Sequence, residues 1–169
     1  MAKFHKIETN LWFDTQAEEA AKYYVSIFKN GSIGKITRYG KEGFEIHKKP
    51  AGSVLTVAFT VNGQDFLALN GGPVFKFNES VSFIVKCDTQ EEIDYYWNKL
   101  SEGGDKNAQQ CGWLKDKFGL SWQIVPSAID KWELDGSERA DALMKVMFKM
   151  KKLDIKKLEE AYNKEPVLS

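Results

Sequence analysis

At 169 residues, 43% apolar and 28% charged, the chain has the size of one domain or of two small modules sharing a core. Its make-up is that of an ordinary soluble globular protein. Basic and acidic residues balance at 24 each, so no positive excess drives binding to nucleic acid or an acidic membrane. No run reaches the ~18 apolar residues of a membrane span, and the N-terminal MAKFHKIETN lacks a signal peptide's apolar core, which points to a cytoplasmic protein.

Ile7 to Phe13 reads as a first strand, with Thr9, Leu11 and Phe13 on one face and Glu8, Asn10 and Trp12 on the other. Asp14-Thr15-Gln16 opens a helix, and Thr15 with Glu18 makes a capping box. Ala17, Ala20, Ala21, Tyr24, Val25 and Phe28 give it helical periodicity, and Asn30-Gly31 ends it in the manner of a left-handed cap. Ile33 to Tyr39 is a second strand, Gly40 to Gly52 a polar loop, and Ser53 to Val61 a third strand rich in β-formers. Asn62-Gly63 is a hairpin turn. Gln64 to Asn70 follows as the fourth strand, with Phe66, Ala68 and Asn70 facing one way and Leu67 and Leu69 the other. Gly71-Gly72-Pro73 breaks it.

The order then restarts. Ser80 to Cys87 is a strand. Asp88-Thr89-Gln90 opens a helix with a second capping box, Thr89 and Glu92, and Ile93, Tyr96, Trp97 and Leu100 line its inner face. Gly103-Gly104 ends it, and Lys106 to Gln110 is expected as a short strand. The stretch CGWLKDKFGLSWQIVP, Cys111 to Pro126, reads as a hairpin. Its second strand alternates Leu120, Trp122 and Ile124 against Ser121, Gln123 and Val125, so Trp122 should pack on a helix, opposite to Gln123. Lys115, Asp116 and Lys117 read as a solvated turn. The echo of strand, Asp-Thr-Gln, paired Glu and paired Tyr in both halves implies two copies of one βαβββ unit: module one over about 5–72, module two over about 79–126. A helical tail runs over 137–163, with Ala140, Leu143, Met144, Met147 and Met150 as its apolar stripe. Cys87 and Cys111 form no CxxC. With two scattered histidines they build no zinc pattern, and both read as small core residues.

With LWFDTQAEEAAKYYVSIF, FLALNGGPVFKFNESVSFIV and GWLKDKFGLSWQIVP in these places, the chain resembles the PhnB-like, 3-demethylubiquinone-9 3-methyltransferase-like members of the vicinal oxygen chelate superfamily. That superfamily holds glyoxalases, extradiol dioxygenases and bleomycin- and fosfomycin-resistance proteins. The resemblance extends to the tail around Met150-Lys151-Lys152-Leu153-Asp154. It implies an α+β fold in which two βαβββ modules curl a mixed sheet into a cup, followed by C-terminal helices and often completed in a homodimer.

The resemblance also implies metal ligands, His or carboxylate, on the first and last strand of each module. The matching positions fall near Thr9 and Ala68 in module one and at Ser82 and Gln123 in module two, a poor cage for a divalent ion. His5 and His47 lie off these positions. The expectation is therefore a cup without metal and without cofactor, binding a small organic ligand through Thr9, Phe13, Phe66, Asn70, Phe75, Ser82, Trp113 and Gln123, with Phe77 as further aromatic wall; Trp122 would complete it but for its register, which sends it to the helix side. The competing readings are a metal-dependent lyase, isomerase or dioxygenase recruiting His5, Glu8 or Glu79, a metal-free enzyme using Asp116 or Glu79 as base, a dimerising protein, and the methyltransferase of the family name. No glycine-rich nucleotide loop follows a strand to support the last.

Overall fold

The computed structural model describes residues 6–133 and 138–163. His5, and Ser137 at the expected start of the helical tail, lie outside the described residues. The architecture is α+β, with a four-stranded and a three-stranded mixed sheet. The chain divides into two compact units, Met1–Lys76 and Phe77–Ser169.

The first unit runs β1 (Thr9–Phe13), α1 (Ala17–Ile27), β2 (Ser32–Arg38), α2 (Phe44–His47), β3 (Val54–Val61) and β4 (Gln64–Asn70). The sheet order is β1-β4-β3-β2, parallel between β1 and β4 and antiparallel elsewhere. Asn62 and Gly63 both take positive φ at the β3–β4 turn, the geometry that a two-residue hairpin of this twist requires. Leu11, Phe13, Val57, Phe59, Phe66 and Ala68 are buried beneath α1, whose Ala17, Ala20 and Ala21 let it approach the sheet closely. Tyr24 stacks on Phe59 at 6.0 Å and Phe59 on Phe66 at 5.1 Å. Each large side chain buried here contributes roughly 1.5–3 kcal/mol.

The expected first capping box does not form. The N-cap residue of α1 is Gln16 and makes no side-chain cap; the Ala17 amide instead donates to Asn70 Oδ1 at 2.8 Å, so the cap comes from the far end of β4. The helix leaves through an extended Phe28 rather than a left-handed Asn30-Gly31. The polar loop between β2 and β3 contains the short helix α2, which the sequence reading did not resolve.

The second unit runs β5 (Ser82–Cys87), α3 (Gln90–Ser101), a 3-10 turn (Lys106–Ala108), β6 (Trp113–Lys115), β7 (Ser121–Pro126), α4 (Ile129–Glu133), α5 (Glu138–Met147) and α6 (Ile155–Asn163). The sheet order is β5-β7-β6, with β5 parallel to β7 and β6 antiparallel to it. Here the capping box is made: the Glu92 amide donates to Thr89 Oγ1, and Glu92 Oε2 accepts from the Asp88 amide. The parallel pairing of first and last strand repeats that of the first unit. The segment 106–110, expected as a strand, is a 3-10 turn followed by one isolated bridge from Gln110 to Trp113. The C-terminal helices close their own core of Val125, Ile129, Trp132, Leu143, Met147, Leu153 and Leu158. The methionine stripe faces it, with Met144 and Met150 packed on its border. Helix α5 ends at Met147, before Met150.

Candidate functional site

In a β-strand successive side chains alternate faces, and the helices decide which face remains open. In the first unit the covered face holds Phe13, Phe66 and Asn70, all buried. Asn70 is engaged twice: its Oδ1 accepts from Ala17 and its Nδ2 donates to the Val54 carbonyl at 3.0 Å. Thr9 shares the parity of Leu11 and Phe13, and its hydroxyl lies 3.5 Å from Gln64 Nε2. The open face carries Asn10 and Trp12 from β1 and Leu67 and Leu69 from β4. Trp12 donates its indole N–H to the Gly72 carbonyl at 2.8 Å and meets Phe75 edge-on at 5.0 Å. Of the expected ligand residues of this unit, Phe75 alone accompanies the open face.

In the second unit α3 covers the face of Val85, Cys87, Leu114, Trp122 and Ile124, all buried. The open face carries two cross-strand rows. Ser82, Ser121 and Lys115 form one; Ile84, Gln123 and Trp113 form the next. Gln123 Nε2 donates to Ser82 Oγ at 2.8 Å. Ser82, Trp113 and Gln123 thus lie together on this face. Beside them is a pocket of about 450 Å³, lined among others by Glu79, Gln110, Trp113, Lys115, Ser121 and Phe148.

Ser121 is 1% exposed, and its hydroxyl is buried without a hydrogen-bond partner. Such a group is uncommon in a folded protein and calls for an explanation. Lys115 pairs with Glu79 across the pocket mouth. The Lys115 ammonium, with a backbone hydrogen bond at Glu79 itself, holds the Glu79 carboxyl below the usual range. The wall at Cys111 is a tight turn: the Trp113 amide donates to the Gln110 carbonyl at 2.8 Å, with Cys111 at φ +52 and Gly112 at φ +83. A Cβ on Gly112 would lie 2.9 Å from the Ile124 carbonyl oxygen, so glycine is required there. The Cys111 and Gly112 amides donate to the Met150 and Lys151 carbonyls, which ties the turn to the segment carrying Phe148. Burial pushes the Cys111 thiol up, which makes it a weak nucleophile.

Asp116 corrects the expectation of a solvated turn or a general base. It is 2% exposed. Its Oδ1 accepts from the Phe118 and Leu120 amides at 2.8 and 3.1 Å, and its Oδ2 accepts from the Trp122 indole at 2.9 Å. Lys115, the register partner of Ser121, lies on the open face, whereas Lys117 is an exposed turn residue whose Cβ sits beside Gly103, just past the end of α3. Trp122 packs on the covered side, opposite to Gln123, as its register predicts.

The donor set does not fit a divalent metal. The oxygen donors on the open faces include Asn10 and Asp65 in one unit, with Asp65 paired to Lys6, and Ser82, Ser121 and Gln123 in the other, joined at the pocket by Glu79, which is paired to Lys115. Among the described residues no group of three His, Cys, Asp or Glu could hold an ion. Thr9 and Ala68, expected nearest the ligand positions, lie on the helix-covered face, and His47 sits against Tyr39 at 4.4 Å.

A model of the 3-demethylubiquinone-9 3-methyltransferase family matches residues 5–125, well over half the chain. The chain belongs to this family. It is a PhnB-like branch of the vicinal oxygen chelate superfamily. A solved Bacillus cereus structure, described as PhnB protein and as a candidate 3-demethylubiquinone-9 3-methyltransferase, shares 36% identity over 72% of this chain and 99% of its own, with a TM-score of 0.61. Protein PA1353 from Pseudomonas aeruginosa, at 19% identity, covers 73% of this chain and 98% of its own with a TM-score of 0.56, a likeness of fold. No curated protein matches the chain with significance. The family match spans residues 5–125, so Phe148 and Met150 lie outside the matched residues.

Proposed function

We propose that this PhnB-like chain binds a small organic molecule in the pocket beside β6 and β7, without a metal ion. The observation that carries this reading is the Ser121 hydroxyl. A buried polar group left unpaired costs about 1–3 kcal/mol, and a ligand accepting from or donating to it removes that cost. The pocket's size falls within the ~300–1,000 Å³ of small-molecule sites. Trp113 supplies an aromatic wall, and Ser82 and Gln123 extend the polar row on the same face. The methyltransferase in the family's name gains no support from the turns after β1 and β5, which carry Asp-Thr-Gln and no glycine-rich cradle.

The test is a thermal-shift screen of small aromatic and quinone-like compounds against the protein and its Ser121→Ala variant. A ligand that raises Tm for the first and less for the second supports the reading. A saturating, stoichiometric stabilisation by manganese, nickel, zinc or iron(II) overturns its metal-free part, and ligands indifferent to Ser121 overturn the site. Two further elements belong to the same proposal. Ile84, 56% exposed on the edge strand β5, suits contact with a second copy in a homodimer, measurable by light scattering. Both cysteines are free thiols, which fits a reducing, cytoplasmic compartment, and no helix among the described residues is long and apolar enough to cross a membrane.

A further inference from the structure

We propose that the ligand of this pocket is an apolar-ringed monoanion of the carboxylate type, whose charged end sits between Lys115 and Ser121 and takes the place of Glu79 on the lysine. The inference rests on the pocket being a ligand site and adds the chemical class.

The pocket lining holds two charged side chains, Glu79 and Lys115. They are unequally placed. The Lys115 side chain is 23% exposed, and that of Glu79 is 64% exposed. Lys115 stands on β6 within the hydrogen-bonded ladder. Glu79 lies before β5, in the segment where Asn78 Oδ1 accepts from the Ser80 amide. Glu79 can therefore swing into water at little cost, whereas the ammonium stays in the wall. What the pocket offers an incoming molecule is then a cation.

Lys115 is the register partner of Ser121. Such antiparallel partners place their Cβ atoms roughly 4.5–5.5 Å apart on one face, so one small oxyanion spans both groups. The hydroxyl can donate to it, and the ammonium gives a charge-assisted bond. This also accounts for the missing partner of Ser121 Oγ: its neighbour Ser82 is already engaged by Gln123, and an anion beside Lys115 is the acceptor it lacks. One row further along the sheet is Trp113, opposite Gln123. With the exposed Phe148 it forms the apolar part of the lining. Charge at one row and a ring at the next describe a molecule with an anionic head on a flat apolar body. The volume of about 450 Å³ admits one or two rings.

The experiment titrates the full chain with 2-naphthoate and with the near-isosteric neutral 2-naphthamide, following heat by calorimetry. The expected result is naphthoate affinity at least ~10-fold above that of the amide, since a charge-assisted bond is about twice a neutral one. Lys115→Gln should abolish the preference. Glu79→Gln should raise naphthoate affinity several-fold and amide affinity by less, because the carboxylate competing for Lys115 is gone; circular dichroism checks that the variant folds. Equal affinity for the two probes, with both weakened by Ser121→Ala, overturns the anion class and leaves the pocket reading standing. Unchanged or weaker naphthoate binding in Glu79→Gln overturns the displacement step. Failure of both probes together with the whole thermal-shift panel overturns the pocket reading itself.

Discussion

Replacing Asp116 by Asn tests how the β6–β7 hairpin is held. One carboxylate satisfies three donors: the Phe118 and Leu120 amides on Oδ1 and the Trp122 indole on Oδ2. An asparagine has a single acceptor atom. If that oxygen keeps the two backbone donors, the amide NH2 is turned toward the indole N–H, and two donors face each other in a buried site. Losing a hydrogen bond to a charged group costs about 1.5–3 kcal/mol. Relief of the buried charge's desolvation returns part of this, so Asp116→Asn should cost about 2 kcal/mol, and Asp116→Ala, which strands all three donors, about 3–5 kcal/mol. The assay is urea unfolding followed by fluorescence and circular dichroism, in a double-mutant cycle with Trp122→Phe. Removing the indole removes the donor–donor conflict, so the double variant should be more stable than the sum of the singles by about 1 kcal/mol. An Asp116→Asn variant within ~0.5 kcal/mol of the parent, or a strictly additive cycle, would refute the account.

Ser121→Ala should leave the ligand-free protein as stable as the parent or up to about 1 kcal/mol more stable, while ligand binding weakens; urea midpoints and thermal shifts read the two effects separately. Asn70→Ala removes both the α1 cap and the bond to the Val54 carbonyl and should cost about 2–3 kcal/mol, measured by urea unfolding. Burial, reinforced by Glu92 and Asp88, pushes the Cys87 thiol from its ordinary 9.0 up to about 12. The folded state holds the neutral thiol, so its contribution is complete below pH ~9 and lost as pH rises toward ~12; Cys87→Ala should flatten that alkaline limb of a stability–pH curve. Phe148→Ala should weaken 2-naphthoate and 2-naphthamide by the same factor in calorimetry, since it removes apolar wall and no charge; a loss confined to one probe would refute that role.

Strand parity was legible throughout. The alternation of Leu120, Trp122 and Ile124 against Ser121 and Gln123 is enough to put Trp122 on the side opposite to Gln123. What alternation cannot say is which face a helix covers when both faces mix polar and apolar residues. In the first unit the covered face ends in Asn70, a residue that reads as pocket-lining because it is polar. Its role is set by a contact 53 residues away in sequence, beyond the reach of any local pattern. Asp116 misleads in the opposite sense. Between two lysines and beside a glycine turn it has the look of solvent-facing charge, yet its second oxygen is taken by an indole six residues on. Lys115 was missed for the same reason, although its pairing with Ser121 follows from closing the hairpin in register. The expected strand at 106–110 failed because Asp105 caps a 3-10 turn through the Asn107 amide, a local side-chain bond that competes with pairing.

The division of the pocket between matched and unmatched sequence bears on what the family shares. Trp113, Lys115 and Ser121 lie within residues 5–125, the region of the family match, and the buried Asp116 turn keeps two of them opposite each other. Phe148 lies beyond that region and is held there by the backbone bonds from Cys111 and Gly112 to Met150 and Lys151. The Bacillus cereus relative, of which 99% aligns while 28% of this chain does not, is the shorter protein. In the proposed site Lys115, Ser121 and the aromatic Trp113 all come from the matched region, and the tail adds only Phe148, whose contact with a ligand would be worth ~25 cal/mol per Å² buried. Lys115 and Phe148 line one pocket and would touch one ligand, so a double-mutant cycle of Lys115→Gln and Phe148→Ala on 2-naphthoate affinity should show a coupling of about 0.5 kcal/mol or more, and strict additivity would refute a shared site.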